Sequence, residues 1–436
     1  MHSFHQDIVD DDYVNVSQEV EHQGSTAVHD GYLNYVSTYI DSISEILRPI
    51  SLKIHDNPEL KFEEFIAHET LTKFLKTRKG WKVTPSAYGM ATAFVAGFDT
   101  GREGPVISYN VEYANTIEDA LTGIGHSCGH NLIAICSIAA ALAAASAMSE
   151  FSLPGKVLLF GTPGEEGGGG KIKLLDAGAY TEHRVDINLI SHPGNVPDSA
   201  LVRTNAYESF TVEYFGKEAH AAASPWEGVN ALDGLITGYN ALSVLRQQTM
   251  PGDIIQGHIT HGGSTPNIIH AYAAGVFVVR ATTKKRLVVL RGKVVKCFEA
   301  GAQASGAELK ITPGMEYDDH VPNKVLGGIC RGAFNGLGGE IPSADLDLIW
   351  GASGASTDQG NVSYAMPSLS LGFKIESEDG PHNPGFAKAA RTREAHGAAL
   401  RAGKALAVTG LEIVGSEDLL RAAREEFEDM LNGEEE

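Results

Sequence analysis

Four polar clusters in this 436-residue chain bring together residue types that hold metal ions and move protons. The first, Gly125-His126-Ser127-Cys128-Gly129-His130-Asn131, precedes an alanine-rich apolar run. Cys128 and His130 stand two apart at the start of a predicted helix, where backbone dipoles and free amides favour a thiolate. A thiolate and an imidazole converging there make half a metal site, and a glycine turn holding a chance Cys and His is an equal reading of that motif alone. The second cluster is Gly161-Thr162-Pro163-Gly164-Glu165-Glu166, followed by Gly167 to Gly170 and Lys171. Adjacent carboxylates can divide the work, one binding metal and the other taking a proton from the attacking water. A phosphate-binding loop is excluded, because that motif needs Gly at 165 and Ser or Thr at 172, where the chain has Glu165 and Ile172.

The third cluster, Ser191-His192-Pro193-Gly194, closes an apolar strand with a histidine. The fourth, Gly380-Pro381-His382-Asn383-Pro384-Gly385, sets a histidine in a rigid turn. Each histidine alone has a structural reading. Together the clusters offer Cys128, His130, Glu166, His192 and His382, with Glu165 spare. Mixed sulfur, nitrogen and oxygen donors suit Zn²⁺ first and Mn²⁺ second. Five donors exceed what one catalytic zinc with an open position takes, so two metal ions are expected. Further along, His220 could stabilise an oxyanion, and Asn267 or Arg280 could hold a substrate carboxylate. Capped surface loops are the alternative reading for these three.

Apolar periodicity along the chain gives the elements that must position these residues. Helices are expected at about 37–54, 62–77 and 130–148, and strands at 105–110, 156–161 and 187–191. Buried strands with crossover helices predict a mostly parallel α/β sheet, with the clusters at its strand ends. From about residue 204 the pattern changes to alternating strands in the order βαββαβ, the ferredoxin-like split unit with one wet sheet face. The α/β pattern resumes after about 316. The expected division is residues 31–203 and 316–415 as one domain, with 204–315 inserted. Acidic segments at 1–30 and 416–436 are expected to be solvated, the first flexible and the second a tail.

Charge and cysteine usage bound the partners. The formal net charge is −21, and each acidic terminal segment carries −7, leaving −7 for the body. Such a balance excludes a nucleic-acid binder, which needs a basic face. The first thirty residues hold no basic-then-apolar leader pattern. Four scattered cysteines, Cys128, Cys136, Cys297 and Cys330, fit a reducing, cytoplasmic setting. The run Leu132–Met148 is too short and too weakly apolar for a membrane span and reads as a buried helix.

From about residue 40 to 410 the chain resembles the aminoacylase/carboxypeptidase-type dinuclear metallopeptidases, in particular their amidohydrolase branch. The resemblance is carried in order by 55–60 (HDNPEL), 123–131 (GIGHSCGHN), 161–166 (GTPGEE), 216–233, 265–269 (TPNII) and 354–363 (GASTDQGNVS). It implies a phosphorylase/hydrolase-like catalytic domain interrupted by a ferredoxin-like lid and dimerisation domain, assembled as a homodimer. It further implies that Cys128, His130, Glu166, His192 and His382 bind two divalent metals. Glu165 would be the general base, and His220 would reach the partner's site to polarise the scissile carbonyl. Asn267 and Arg280 would bind the carboxylate end of an N-acyl amino acid, dipeptide or aminobenzoyl-amino-acid-like substrate. Where relatives have Asp after Tyr113, this chain has Ala114 and a short insertion before Asp119. Asp119 and Glu112 are therefore candidate supports behind the metal ligands. Amide formation, cyclisation or acyl transfer is a second reading of the same machinery, and a non-catalytic dimeric scaffold is a third. Retention of Glu165 beside a ligand argues against the scaffold.

Overall fold

The computed structural model describes residues 26–114 and 125–435, so Asp119 lies outside the described residues. Two sheets divide the chain. The larger joins β1 (Trp81–Pro85), β2 (Phe94–Asp99), β3 (Val106–Glu112), β4 (Lys156–Thr162), β5 (Ile187–Gly194) and β10 (Ser368–Lys374) in the order β1-β2-β4-β3-β5-β10. Strands β4, β3, β5 and β10 run parallel, while β2 pairs antiparallel with both β1 and β4. The sheet is buried on both faces. Along β4, Val157 and Leu159 enter one apolar core while Leu158 and Phe160 enter the other, which explains the unbroken apolar run.

Helix His130–Glu150 packs on β3, β4 and β5 and is apolar around its whole circumference, as a helix enclosed on every side must be. It is the one helix among the described residues that is long and apolar enough to cross a membrane, and it is buried within the protein. Helices Thr26–His55 and Arg393–Gly415 close over it. At Gly403 a Cβ would stand 2.9 Å from the Cys136 carbonyl oxygen, so this crossing needs glycine.

The smaller sheet joins β6 (Ala206–Phe215), β7 (Ile254–His261), β8 (Tyr272–Ala281) and β9 (Glu308–Tyr317) in the order β7-β8-β6-β9, all antiparallel. Helices Ala231–Leu245 and Lys284–Ser305 cover one face through Phe210, Phe277 and Phe298. The alternating burial along β6 matches the wet-faced sheet expected from sequence. Where the chain passes between the sheets, His320 donates its backbone N–H to Thr204 Oγ1 at 3.1 Å, and its ring Nδ1 donates to the Val202 carbonyl at 2.8 Å.

The C-terminal segment corrects the sequence expectation. Residues expected as a solvated tail form helix Glu417–Glu435, with Leu420 and Ala423 buried in the larger core. Glu426 accepts the backbone N–H groups of Lys324 and Val325 at 2.8 and 3.0 Å, closing the start of helix Lys324–Gly336. Leu420, Ala423 and Phe427 recur at helical spacing on the inward side, a stripe that the nine acids of the segment obscure.

Candidate metal centre and active site

The four clusters converge at the carboxyl ends of β3, β4 and β5, where parallel sheets place ligands. Gly129, at φ 76°, turns the chain so that helix His130–Glu150 starts at the site. Gly164, at φ 67°, does the same for Glu165 and Glu166, which follow β4. Its N–H is held by the buried Glu64 at 2.8 Å, whose other oxygen accepts the Thr92 hydroxyl at 2.7 Å. His382 sits at φ 64°, and its backbone N–H donates to the Ser127 carbonyl at 2.9 Å, tying its turn to the Cys128 loop.

Three overlapping groups have ligand atoms within 4.8 Å of one another: Cys128, His130 and His192; Cys128, Glu166 and His382; and Glu112, His130 and Glu165. Cys128 Sγ lies 3.3 Å from His192 Nε2, and His382 Nε2 lies 3.5 Å from Glu166 Oε1. His130 Nε2 stands 3.8 to 3.9 Å from carboxylate oxygens of Glu112, Glu165 and Glu166. All five ligand candidates, the spare Glu165 and Glu112 therefore meet in one place.

The tautomers are set by backbone. His130 Nδ1 bonds the Ala114 carbonyl and His192 Nδ1 bonds the Pro193 carbonyl, and a carbonyl can only accept. Each Nδ1 thus carries hydrogen, so in the neutral ring each Nε2 presents a lone pair to the cluster, as a metal ligand requires. The orienting group at 114 is main chain, so Ala114 supplies His130 with this partner despite lacking a carboxylate. Buried without hydrogen-bond partners are His130 Nε2, Glu112 Oε2 and Glu166 Oε1, all facing inward. Orphaned donor atoms at this density fit divalent cations.

The electrostatics agree with a site built to receive positive charge. Burial, followed by the charges of Glu166 and Glu165, pushes the Cys128 thiol well up, outweighing the helix-terminus effect expected from sequence. Burial and then the Glu112 and Glu166 charges push the Glu165 carboxyl well up, with Lys171 opposing. Burial holds His192 below the usual imidazole range, favouring the neutral ligand form.

The residues of the smaller domain are placed differently. His220 is exposed, and its Nδ1 accepts the N–H groups of Ala222 and Ala223 at 3.2 and 3.1 Å. Asn267 is close by: its carbonyl accepts the Ala221 N–H at 3.0 Å, and its side chain accepts the Thr265 hydroxyl at 2.7 Å. Arg280 on β8 lies over the Tyr207 ring and donates to Ser356 Oγ at 2.9 Å, across the two domains. Sequence reasoning gave no role to Lys171, Asp358, Glu64 or Tyr317. Lys171 and Asp358 are fully buried and paired, and Tyr317 donates to the Glu165 carbonyl. The available signal was the placement of Glu64 and Asp358 inside or beside the 55–60 and 354–363 motifs.

A spare carboxylate beside a metal-ready cluster is the arrangement by which metal-dependent hydrolases activate water. No family model matches the chain. It is 40% identical over 403 residues to the Xaa-Arg dipeptidase of Homo sapiens, covering 89% of this chain and 90% of that protein. It is 29% identical over 310 residues to one of the p-aminobenzoyl-glutamate hydrolase subunits of Escherichia coli (strain K12), covering 67% and 62%. Its fold is shared with a dinuclear metal-binding peptidase of the M20 family from Bacillus subtilis (TM-score 0.63, 17% identity, 85% of this chain and 99% of that one). The aminobenzoyl-glutamate utilization protein from Klebsiella pneumoniae shares it too (TM-score 0.61, 16% identity, 86% and 98%). The chain belongs to the family of the Xaa-Arg dipeptidases, and its fold is that of the M20 dinuclear metallopeptidases.

Proposed function

We propose that the protein hydrolyses the amide bond of a dipeptide, N-acyl amino acid or aminobenzoyl-amino-acid-like substrate. Cys128, His130, Glu166, His192 and His382 would hold two divalent ions, zinc first and manganese second. The observation that carries this reading is the convergence of those donors, with the His130 and His192 rings oriented through Nδ1 by backbone carbonyls. When bound, the ions would polarise the scissile carbonyl and lower the pKa of water.

The chain's own residues supply the rest. Glu165 takes a proton from the attacking water and returns it to the leaving nitrogen as the carbon–nitrogen bond breaks. Its burial and anionic neighbours raise its proton affinity, which suits a group that must hold a proton between those steps. Arg280, half-buried and braced on Tyr207 and Ser356, is positioned to bind a substrate carboxylate, with Asn267 assisting. His220 makes its contacts within the smaller domain, and we assign it to the partner subunit's site in a homodimer. The free cysteines and the acidic surface support a cytoplasmic enzyme acting without nucleic acid or membrane.

The 40% identity to an Xaa-Arg dipeptidase supports trying dipeptides first. The test is a mass-spectrometric panel of Xaa-basic dipeptides, N-acyl amino acids and p-aminobenzoyl-glutamate, with added Zn²⁺ or Mn²⁺. Release of both amide fragments by wild type and none by Glu165→Gln is expected. Turnover unaffected by Glu165→Gln would overturn the assignment of the base.

A further inference from the structure

Tyr207 on β6 stands directly opposite Arg280 of β8 and Tyr317 of β9, so the three side chains share the face of the smaller sheet turned away from its helices. They touch in a row. The Arg280 guanidinium lies 4.9 Å from the centre of the Tyr207 ring, and the Tyr207 and Tyr317 ring centres are 5.7 Å apart. The row ends on the loop that carries Glu165, because the Tyr317 hydroxyl donates to the Glu165 carbonyl and accepts the Gly169 N–H. A second line of contact starts from the same arginine. Arg280 Nη1 donates to Ser356 Oγ at 2.9 Å, and in the same segment Asp358 accepts the Lys171 backbone N–H at 2.8 Å, at the far end of that loop. Arg280 is thus joined by two routes to the segment that positions the base.

That loop needs outside support. Residues 167–170 are four successive glycines, and Gly164, Gly167 and Gly169 take positive φ of 67°, 73° and 65°. Glycine restricts the backbone least, so the place of Glu165 is set by what holds the loop rather than by the loop itself. Among the described residues the Arg280 guanidinium has no carboxylate partner; its neighbours are the Tyr207 ring and the Ser356 hydroxyl. A substrate carboxylate paired with it would hold the planar cation in one orientation over that ring. Binding energy from a remote part of a substrate speeds the chemistry when it is used to order the reacting groups. We propose that Tyr207 is a positioning residue through which a substrate carboxylate held by Arg280 orders the Glu165 loop, so that this carboxylate raises kcat as well as affinity. The inference rests on the amide-hydrolase reading above, with Arg280 as its carboxylate site, and adds how that site acts on the base.

The test measures kcat and KM for the dipeptide that wild type cleaves fastest and for its C-terminal amide, which lacks the carboxylate. In wild type the amide cap should lower kcat by about tenfold or more, in addition to raising KM. Tyr207→Leu should lower kcat on the free acid at least about fivefold more than on the capped dipeptide, and Tyr207→Phe, which keeps the ring, should restore the response to the cap. A cap that changes only KM in wild type, or a Tyr207→Leu loss equal on both substrates, would overturn the proposal. Arg280→Lys, which keeps the charge without the flat face over the ring, is read the same way if Tyr207→Leu does not fold. A second readout needs no turnover. L-arginine should slow amide hydrogen exchange across residues 164–170 of wild type more than argininamide does, and the two should act alike on Tyr207→Leu; equal protection by both in wild type would overturn the proposal. If wild type cleaves no amide, the hydrolase reading falls and hydrogen exchange decides the coupling by itself. If it cleaves both dipeptides with one kcat, only the coupling falls.

Discussion

Tyr317, the last residue of β9, donates its hydroxyl hydrogen to the backbone carbonyl of Glu165 at 2.8 Å. The same hydroxyl accepts the Gly169 N–H at 3.2 Å, so one side chain of the smaller domain spans both ends of the loop carrying the base. The position of the inserted domain and the position of the base are thereby linked through a single buried group.

Tyr317→Phe removes both bonds and leaves a buried carbonyl and amide unpaired. A stability loss of about 1–3 kcal/mol is expected in denaturant unfolding. Turnover should fall about tenfold while metal content stays at the wild-type level, because no ligand candidate is touched. Metal loss in step with activity would contradict this account of Tyr317.

Glu64 holds the other side of that loop through Gly164. Glu64→Ala strands the Gly164 N–H and the Thr92 hydroxyl in a buried site, so a loss of about 1–3 kcal/mol and reduced turnover are expected. Glu64→Gln, which keeps one acceptor for Gly164, should recover most of the stability. Equal unfolding midpoints for both variants would contradict the anchoring role.

His320, between the two domains, gives the fold an acid limit. Burial pulls its pKa down from 6.5 to about 4 in the folded protein. The unfolded chain takes up the proton as pH falls below 6.5, and the folded protein resists until about 4. Stability attached to this residue is therefore full above pH 6.5 and declines between 6.5 and 4, by up to about 3 kcal/mol. Unfolding midpoints at pH 7 and pH 5 should differ less in His320→Phe than in wild type.

Leu420 tests the corrected C-terminus. Leu420→Ala should destabilise the larger domain by about 2–4 kcal/mol, since its side chain lies in the main core. A solvated tail would show no change in the unfolding midpoint.

These relationships also mark what the sequence could show. Cys128, His130, Glu165, Glu166, His192 and His382 were legible because their chemistry is rare and they gather beside turns and the ends of apolar runs. The βαββαβ order of the insert was legible because strand alternation and helical periodicity differ over ten-residue windows. The links among Glu112, Lys171 and Asp358 were not, because they join residues far apart in the chain, 187 positions in the case of Lys171 and Asp358, through buried charge pairs that no local spacing encodes. Helix Glu417–Glu435 was hidden by its own acidity, which outweighed a short inward stripe of apolar residues. Asp119, offered as a support for the ligands, falls outside the described residues.

The central claim is that the buried cluster is a dinuclear metal centre at which Glu165 moves protons without being needed to hold the ions. The most direct measurement is metal stoichiometry together with amide turnover for wild type and Glu165→Gln prepared side by side. The account predicts two divalent ions per chain in both proteins, with turnover in wild type only. Loss of metal from Glu165→Gln, or hydrolysis that persists in it, would contradict the account.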